Sequence, residues 1–376
     1  MTNNLIVYLK LLRFGAEVEV YDIVSGIING QIDISIEKMY LELTNRCNLH
    51  CKHCYNKSND GEIYDIPKEV VIDLIDYSKE KGLTSIAYSG GEALLHPNIE
   101  EIFEYTSKVG LDMFLLTNGT YINEWLMCLL EKYKPILQIS LEGPDQKTSD
   151  EIRGVGSFKK SIAFIEELKR KDYPSDIYIN TVLNRHNINS YWSMKKFVKS
   201  LGVTSLSFSL LTNTGRAEEN DLDIEQSEKI EVMKDINENM QTQTDFLCKG
   251  VGVNHVCSMN QVNDNRINIQ PKVTPRGDVL PCQMHNGKQY MLGNVLKMTM
   301  SEIVNSEKTR AYLAMSQLRS QYMDACITCS FEVSCRRGCI AKAISEYHNP
   351  FSVDGNCYFY KKEFHKAFVM SKGGIN

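Results

Sequence analysis

The sequence predicts an α/β fold in which six βα units build a barrel of parallel strands, open or closed, with a small cysteine-rich region after it. Three observations carry this reading. Short β-rich runs alternate with longer helical ones from residue 39 to about residue 241, glycines mark the helix ends, and the cysteines avoid nearly all of that stretch.

Taken in order, the β-rich runs stand at 39–43, 84–89, 112–117, 135–141, 176–183 and 204–210. Between the first two, residues 68–81 carry a helical stripe. Val71, Leu74, Ile75 and Ser78 fall at helical offsets, and Pro67 suits the first turn. Lys81-Gly82-Leu83, Val109-Gly110-Leu111 and Leu201-Gly202-Val203 repeat one ending. Glycine takes the left-handed cap there, and the apolar residue after it opens the next strand. Such units imply a parallel sheet with right-handed crossovers and chemistry at the strands' carboxyl ends, where polar and glycine-rich residues gather.

Three regions follow: an N-terminal extension at 1–38, the barrel at 39–245 and the cysteine-rich part at 246–376. The extension carries β-like runs at 5–12 and 17–22 and a glycine-marked turn at 28–31. It reads as a substrate-docking edge or as a cap on the barrel. The last region has short runs and turn signals such as Arg276-Gly277-Asp278. It is expected to lack a large apolar core and to be held by metal instead.

Composition bounds the function. The chain has 376 residues, 43% hydrophobic and 24% charged, as soluble globular proteins do. A net charge of -5 supplies no basic field for nucleic acid or an anionic membrane. No apolar stretch approaches the roughly 20 residues of a membrane span. Lys10 and Arg13 interrupt the first apolar run, a poor secretory signal, so the expected location is the cytoplasm.

In a reducing compartment, 12 cysteines in clusters read as metal ligands. They fall into Cys47, Cys51 and Cys54 near the start, and Cys248, Cys257, Cys282, Cys326, Cys329, Cys335, Cys339 and Cys357 near the end. Cys128 stands alone in the apolar run 125–130, where a buried packing role is expected. The first group, Cys-x3-Cys-x2-Cys directly after the first strand, puts three thiolates on one loop. Structural zinc prefers four ligands, whereas a [4Fe–4S] cube held by three leaves one iron open. A zinc knuckle or unliganded loop thiols are the bland alternatives.

This loop, with His53 before its last cysteine, resembles the signature of the radical S-adenosylmethionine (SAM) superfamily. Further motifs come in the order the resemblance implies: Ser89-Gly90-Gly91-Glu92, Thr117-Asn118-Gly119, Ser140-Leu141-Glu142-Gly143-Pro144, then Asp150-x2-Arg153-Gly154. The resemblance implies a partial (β/α)6 TIM-like barrel binding a [4Fe–4S] cluster and S-adenosylmethionine (AdoMet). In it Gly90, Gly91 and Glu92 meet the AdoMet amino group, Ser140 and Arg153 its ribose and carboxylate, and Leu210 its adenine, beside His53. Glycines admit close backbone approach, and a guanidinium forks onto a carboxylate. A surface ion pair for Arg153 and plain core packing for Leu210 are the structural alternatives. Two departures stand out. Ala93 replaces a common proline, and Glu142 replaces the commoner aspartate, which leaves a direct ribose contact by Glu142 open.

The later cysteines, with Gly277-x4-Cys282 upstream, resemble the SPASM extension, a domain with two auxiliary [4Fe–4S] clusters. Its interleaved ligation implies Cys326, Cys329, Cys335 and Cys357 on one cluster. It implies Cys282, Cys339, Cys257 and Cys248 on the other, the last two the least defined. A zinc ribbon is the alternative.

SPASM relatives mostly modify peptides or proteins. The expected activity is therefore oxidative modification of a ribosomally made peptide, through a thioether or carbon–carbon cross-link. Expected partners are an electron donor such as flavodoxin or ferredoxin and, since 1–38 is short for a leader-recognition domain, a separate leader-binding protein. Anaerobic sulfatase maturation ranks lower because Gln283 stands where that subfamily has a basic aspartate. Small-molecule cofactor or antibiotic biosynthesis, and a non-enzymatic iron–sulfur electron carrier, stay open. Asp278, His285, Tyr290 and Glu332 read more simply as solvated or structural, so no catalytic residue is assigned.

Overall fold

The structure is a computed structural model that describes residues 18–236, 239, 247–249, 257–327, 329–330, 335, 337–355, 357 and 361. In chain order its helices are α1 (Val18–Ile28), α2 (Lys68–Glu80), α3 (Ile99–Lys108), α4 (Glu124–Tyr133), α5 (Gln146–Arg153), α6 (Ser157–Arg170), α7 (Tyr191–Leu201), α8 (Arg216–Glu219) and α9 (Gln226–Asp235). They continue with α10 (Met300–Asn305), α11 (Glu307–Tyr322), α12 (Asp324–Ile327) and α13 (Ile340–Tyr347). The strands are β1 (Asp33–Ile36), β2 (Lys38–Thr44), β3 (Ser85–Gly90), β4 (Asp112–Thr117), β5 (Ile136–Ser140), β6 (Ile177–Leu183), β7 (Ser205–Leu210) and β8 (Leu247–Lys249). Five short ones follow: β9 (Val262–Asn263), β10 (Arg266–Ile269), β11 (Lys272–Val273), β12 (Asp278–Leu280) and β13 (Gly293–Asn294).

Strands β2 to β7 pair in sequence, all parallel, with a helix after each. This is the partial (β/α)6 barrel the sequence predicts. Its two outer strands are extended and not joined: β8 pairs with β7, and β11 with β2, among the described residues. Alternation along β2 gives each face its character. Met39, Leu41 and Leu43 are buried against the helices, while Tyr40 and Glu42 turn to the other face. That inner face is polar and half-buried at Gln138, Tyr178, Asn180, Ser207 and Ser209, with Asn180 Oδ1 accepting from both serines at 3.0 and 2.9 Å.

The helix endings follow the predicted chemistry. Gly82, Gly110 and Gly202 take φ of +98°, +70° and +65°, and Leu83, Leu111 and Val203 beyond them are buried. In α2 the buried residues are Val71, Leu74, Ile75 and Ser78, and Pro67 occupies the N-cap.

Three expectations are corrected. Of the strand expected at 17–22, the described residues 18–22 do not form one. Val18–Ile28 is helical, because Val20, Val24 and Ile27 make a buried stripe against α11, and this packing outweighs β-branched propensity. The run at 5–12 lies outside the described residues. Cys128 is exposed, since helix α4 buries Leu126, Met127, Leu129 and Leu130 and turns Cys128 outward. The cysteine-rich region does own a substantial apolar core. Met259, Ile267, Ile269, Val273, Val279, Ile303, Leu313 and Ile340 belong to the same continuous cluster as the barrel's residues.

The N-terminal segment joins that region. β1 pairs in parallel with β10, Arg310 Nη1 donates to the Ile27 carbonyl at 2.9 Å, and α1 packs on α11. No helix among the described residues is long and apolar enough to cross a membrane. Truncating fully enclosed Ile27 to alanine should lower the free energy of urea unfolding by about 2–4 kcal/mol. An unchanged midpoint would mean that α1 is not integral to the fold.

Candidate cluster and cofactor site

The loop that leaves β2 carries Cys47, Cys51 and Cys54, and the barrel grips it by its backbone. Gly90, at φ +138°, lies so close that a Cβ there would stand 2.3 Å from the Thr44 carbonyl. At Gly91 the corresponding distance to the Arg46 carbonyl is 2.2 Å. The same two carbonyls accept the N–H groups of Gly91 and Glu92 at 2.7 Å each. On the opposite side Gly215, at φ +65°, packs 2.5 Å and 2.7 Å from the Tyr55 and Cys54 carbonyls by the same measure. Arg216 then clamps the loop: its N–H donates to the Cys54 carbonyl at 3.0 Å and its Nε to the Cys51 carbonyl at 2.9 Å. Its Nη1 donates to Asp60 Oδ2 at 2.7 Å. The close approach of Gly90 and Gly91 is thus to the cysteine loop itself.

The thiols are held where a cluster would take them. Leu49 N–H points at Cys47 Sγ at 3.5 Å and Ser58 N–H at Cys54 Sγ at 3.4 Å, donors that favour thiolate. Burial pushes the Cys47 thiol up to about 12, and the charges of Glu92, Cys51 and Cys54 add to this. Burial raises Cys51 as well, against the pull of Arg153. A cationic iron centre would offset that cost for Cys47 and Cys51 by taking them as thiolates.

Beside the loop lies a rim built from the carboxyl ends of β3 to β7. Glu92 is fully buried, with Oε2 accepting the Asn118 N–H at 2.8 Å, and burial raises its carboxyl. Arg153 is no surface ion pair: it donates Nε and Nη2 to Glu142 Oε1 at 3.1 and 2.9 Å, both side chains buried. Glu142 Oε2 accepts the Val182 N–H at 2.8 Å. Burial opposes ionisation of Glu142, yet Arg153 and His53 hold it down to about 2. His53 Nε2 lies 3.3 Å from Glu142 Oε1, and His53 Nδ1 is buried without a partner among the described residues. An orphaned polar atom there is ready for a ligand. Ser140 ends β5 half-buried next to Asn180 in register, and Leu210 packs against the hydrophobic core.

The later cysteines form two neighbourhoods. Burial pushes the Cys282 thiol up, and the charges of Cys339 and Cys257 add to it. Burial takes Cys335 to about 11, with Asp354, Cys357 and Cys326 contributing, and Cys357 in turn feels Cys329. So Cys257, Cys282 and Cys339 stand together, and Cys326, Cys329, Cys335 and Cys357 stand together. Cys248 lies on β8, and its side chain is outside the described residues. Among the described residues no three His, Cys, Asp or Glu are spaced for a single metal ion. Ligands to a four-iron cube stand further apart, one per iron.

Comparison with known proteins decides what this arrangement is. Residues 41–198 match the radical SAM superfamily model, and residues 266–330 match the SPASM iron–sulfur cluster-binding domain. The chain is a radical SAM protein with a SPASM domain.

Its radical SAM domain binds a [4Fe–4S] cluster and AdoMet, and its SPASM domain binds auxiliary iron–sulfur clusters. It is 26% identical to the subtilosin biosynthesis protein AlbA of Bacillus subtilis, over 82% of this chain and 68% of AlbA. It is 26% identical to mycofactocin maturase MftC of Mycobacterium ulcerans, over 80% of this chain and 82% of MftC. To the AdoMet-dependent heme synthase of Methanosarcina barkeri it is 32% identical over 48% of this chain, spanning 52% of that protein's length. In fold it resembles anSMEcpe with bound AdoMet and the Cp18Cys peptide (TM-score 0.69, 20% identity, 89% of this chain and 97% of that one). It also resembles Streptococcus suis SuiB bound to precursor peptide SuiA (TM-score 0.66, 15% identity, 89% and 79%).

The radical SAM and SPASM regions contain buried groups that motif reading passed over. Arg216 carried no assigned role, yet it ties the cysteine loop to the end of β7. Arg319 of α11 is wholly buried and donates to the carbonyls of Pro350, Arg337 and Ser352 at 2.7, 2.8 and 2.9 Å. It thereby braces the segments that precede Cys339 and Cys357. The only sequence signal for it was an arginine among the apolar positions of α11.

Gly91→Ala should displace the cysteine loop. The expected result is loss of the radical-cluster EPR signal and of about four irons per chain, with the auxiliary signals kept. Full iron content in this variant would show that the backbone grip is dispensable.

Proposed function

We propose that this chain is a radical SAM peptide maturase, which oxidatively cross-links a ribosomally made peptide. The observation that carries the reading is coverage: the similarity to AlbA and MftC runs through both domains, over 82% and 80% of this chain. With cluster and AdoMet bound, the family's chemistry is one-electron cleavage of AdoMet to a 5′-deoxyadenosyl radical that takes a hydrogen atom from a substrate carbon.

The chain's residues supply the positioning. Cys47, Cys51 and Cys54 hold the radical cluster. His53, Gly90, Gly91, Glu92, Ser140, Arg153 and Leu210 would line the AdoMet site, with Glu142 holding the Arg153 guanidinium in place. Cys282, Cys339, Cys257 and Cys248 hold one auxiliary cluster, and Cys326, Cys329, Cys335 and Cys357 the other. The amide- and hydroxyl-bearing inner face of β5 to β7 suits a peptide backbone, which offers donors and acceptors but no charge. Gln283 beside Cys282 cannot serve as a base, which argues against sulfatase-type maturation. A one-electron donor such as flavodoxin or ferredoxin and a separate leader-binding protein complete the system.

Identity of 32% to heme synthase over 48% of this chain favours a second reading, a small-molecule substrate. One assay separates the two. The reduced, anaerobically reconstituted chain should convert AdoMet to 5′-deoxyadenosine, and a peptide encoded beside its gene should lose two hydrogen atoms per link by mass spectrometry. Turnover of a porphyrin precursor with no change in any such peptide would overturn the peptide reading. Replacing Cys47, Cys51 and Cys54 by alanine should abolish AdoMet cleavage. Cys282→Ala and Cys335→Ala should each lower iron from about 12 to about 8 per chain. Stoichiometric zinc in the purified protein would refute the auxiliary assignment.

A further inference from the structure

Lys272 belongs to a strand of the C-terminal region, yet its side chain ends inside the barrel domain. Strand β11 pairs in parallel with β2, and Lys272 stands opposite Tyr40. Its Nζ lies 4.0 Å from Glu42 Oε1, and each side chain is only 1% exposed. The same Glu42 oxygen accepts the Tyr55 hydroxyl at 2.7 Å. Lys272 Nζ also sits 5.4 Å from the centroid of the Tyr55 ring, within cation–π range. Its remaining partner is Asn286 Oδ1, in the segment that follows Cys282.

Tyr55 is the residue after Cys54, and its carbonyl is one of the two that Gly215 packs against. A continuous path therefore runs from the C-terminal region through Lys272, Glu42 and Tyr55 to the backbone of the first cysteine loop. The pair is enclosed, so screening by solvent does not weaken it as it would a surface pair. Removing one partner of such a pair strands a charge in a low-dielectric site. A stranded Glu42 is driven to move, and Tyr55 then loses the acceptor that orients it.

We propose that Lys272 is a positioning residue for the first cysteine loop, acting through Glu42 and Tyr55, so that the C-terminal region helps set the AdoMet-binding geometry of the radical cluster. The proposal rests on the reading that Cys47, Cys51 and Cys54 hold that cluster, and on no assumption about substrate.

The test uses the full chain, reconstituted anaerobically and reduced. The readout is the AdoMet concentration that half-saturates the change in the radical-cluster EPR signal, measured beside iron content. Lys272→Met should raise that concentration at least about tenfold with iron unchanged, and Glu42→Gln should do the same. The double variant Glu42→Gln with Lys272→Met removes both charges and leaves Tyr55 an acceptor, and it should return to within about threefold of the parent. Lys272→Arg, which keeps the charge, should stay near the parent. If Lys272→Met does not fold, Glu42→Gln and its recovery by Lys272→Met decide the matter. AdoMet response unaltered in both single variants, or a double variant worse than either, would overturn the proposal in favour of simple packing. Cys54→Ala separates the two levels: it should lose the signal altogether, and a Cys54→Ala chain that kept it would refute the ligand reading instead.

Discussion

The contact on which the rest of this structure depends is the meeting of backbone with backbone around the first cysteine loop. Carbonyls of Thr44, Arg46, Cys54 and Tyr55 lie against Gly90, Gly91 and Gly215 at distances that no side chain would allow. Three thiols must converge within a few ångströms, and a loop between β2 and α2 has no regular hydrogen bonding to hold it there. The strand ends provide that hold, because parallel strands deliver their carboxyl termini to one rim. Arg216 adds charge-assisted hydrogen bonds from its guanidinium to the Cys51 and Ser58 carbonyls.

Around this grip the protein buries more charge than a core normally tolerates, and each charge has a structural partner. Glu142 is matched by Arg153, and Glu42 by Lys272. Among the described residues Arg319 donates to three backbone carbonyls, those of Arg337, Pro350 and Ser352, in place of a carboxylate. Such groups add little net stability over apolar packing, but they demand one arrangement, since any slip leaves a charge unsolvated. That rigidity suits a site where a sulfonium, a cluster and a substrate carbon must be held in register.

Much of the barrel was legible because its signals are local. Strand runs, the stripe in α2 and the glycines at 82, 110 and 202 each follow from a few adjacent residues, and the cysteine spacing named the chemistry. What escaped depends on residues far apart in sequence. Val18–Ile28 alternates like a strand and folds as a helix because α11 covers it. Cys128 looked buried from its apolar neighbours, but a helix turns every side chain by a fixed angle, and this one points outward. The apolar core of the C-terminal region was invisible because strands of two or three residues, such as β11 and β12, carry almost no periodicity. The burial of Lys272 and Arg319 likewise depends on long-range contacts, the pairing of β11 with β2 and the enclosure of α11.

Protein packing shapes the first cysteine loop, through the backbone contacts that Gly90, Gly91 and Gly215 make with it. Amide hydrogen exchange on the metal-free chain tests it most directly. The account predicts that Gly91, Glu92 and Arg216, whose N–H groups bind the loop, exchange as slowly as the interior of β3 before any iron is added. Exchange at the rate of an unstructured peptide, slowing only once the cluster is assembled, would contradict it.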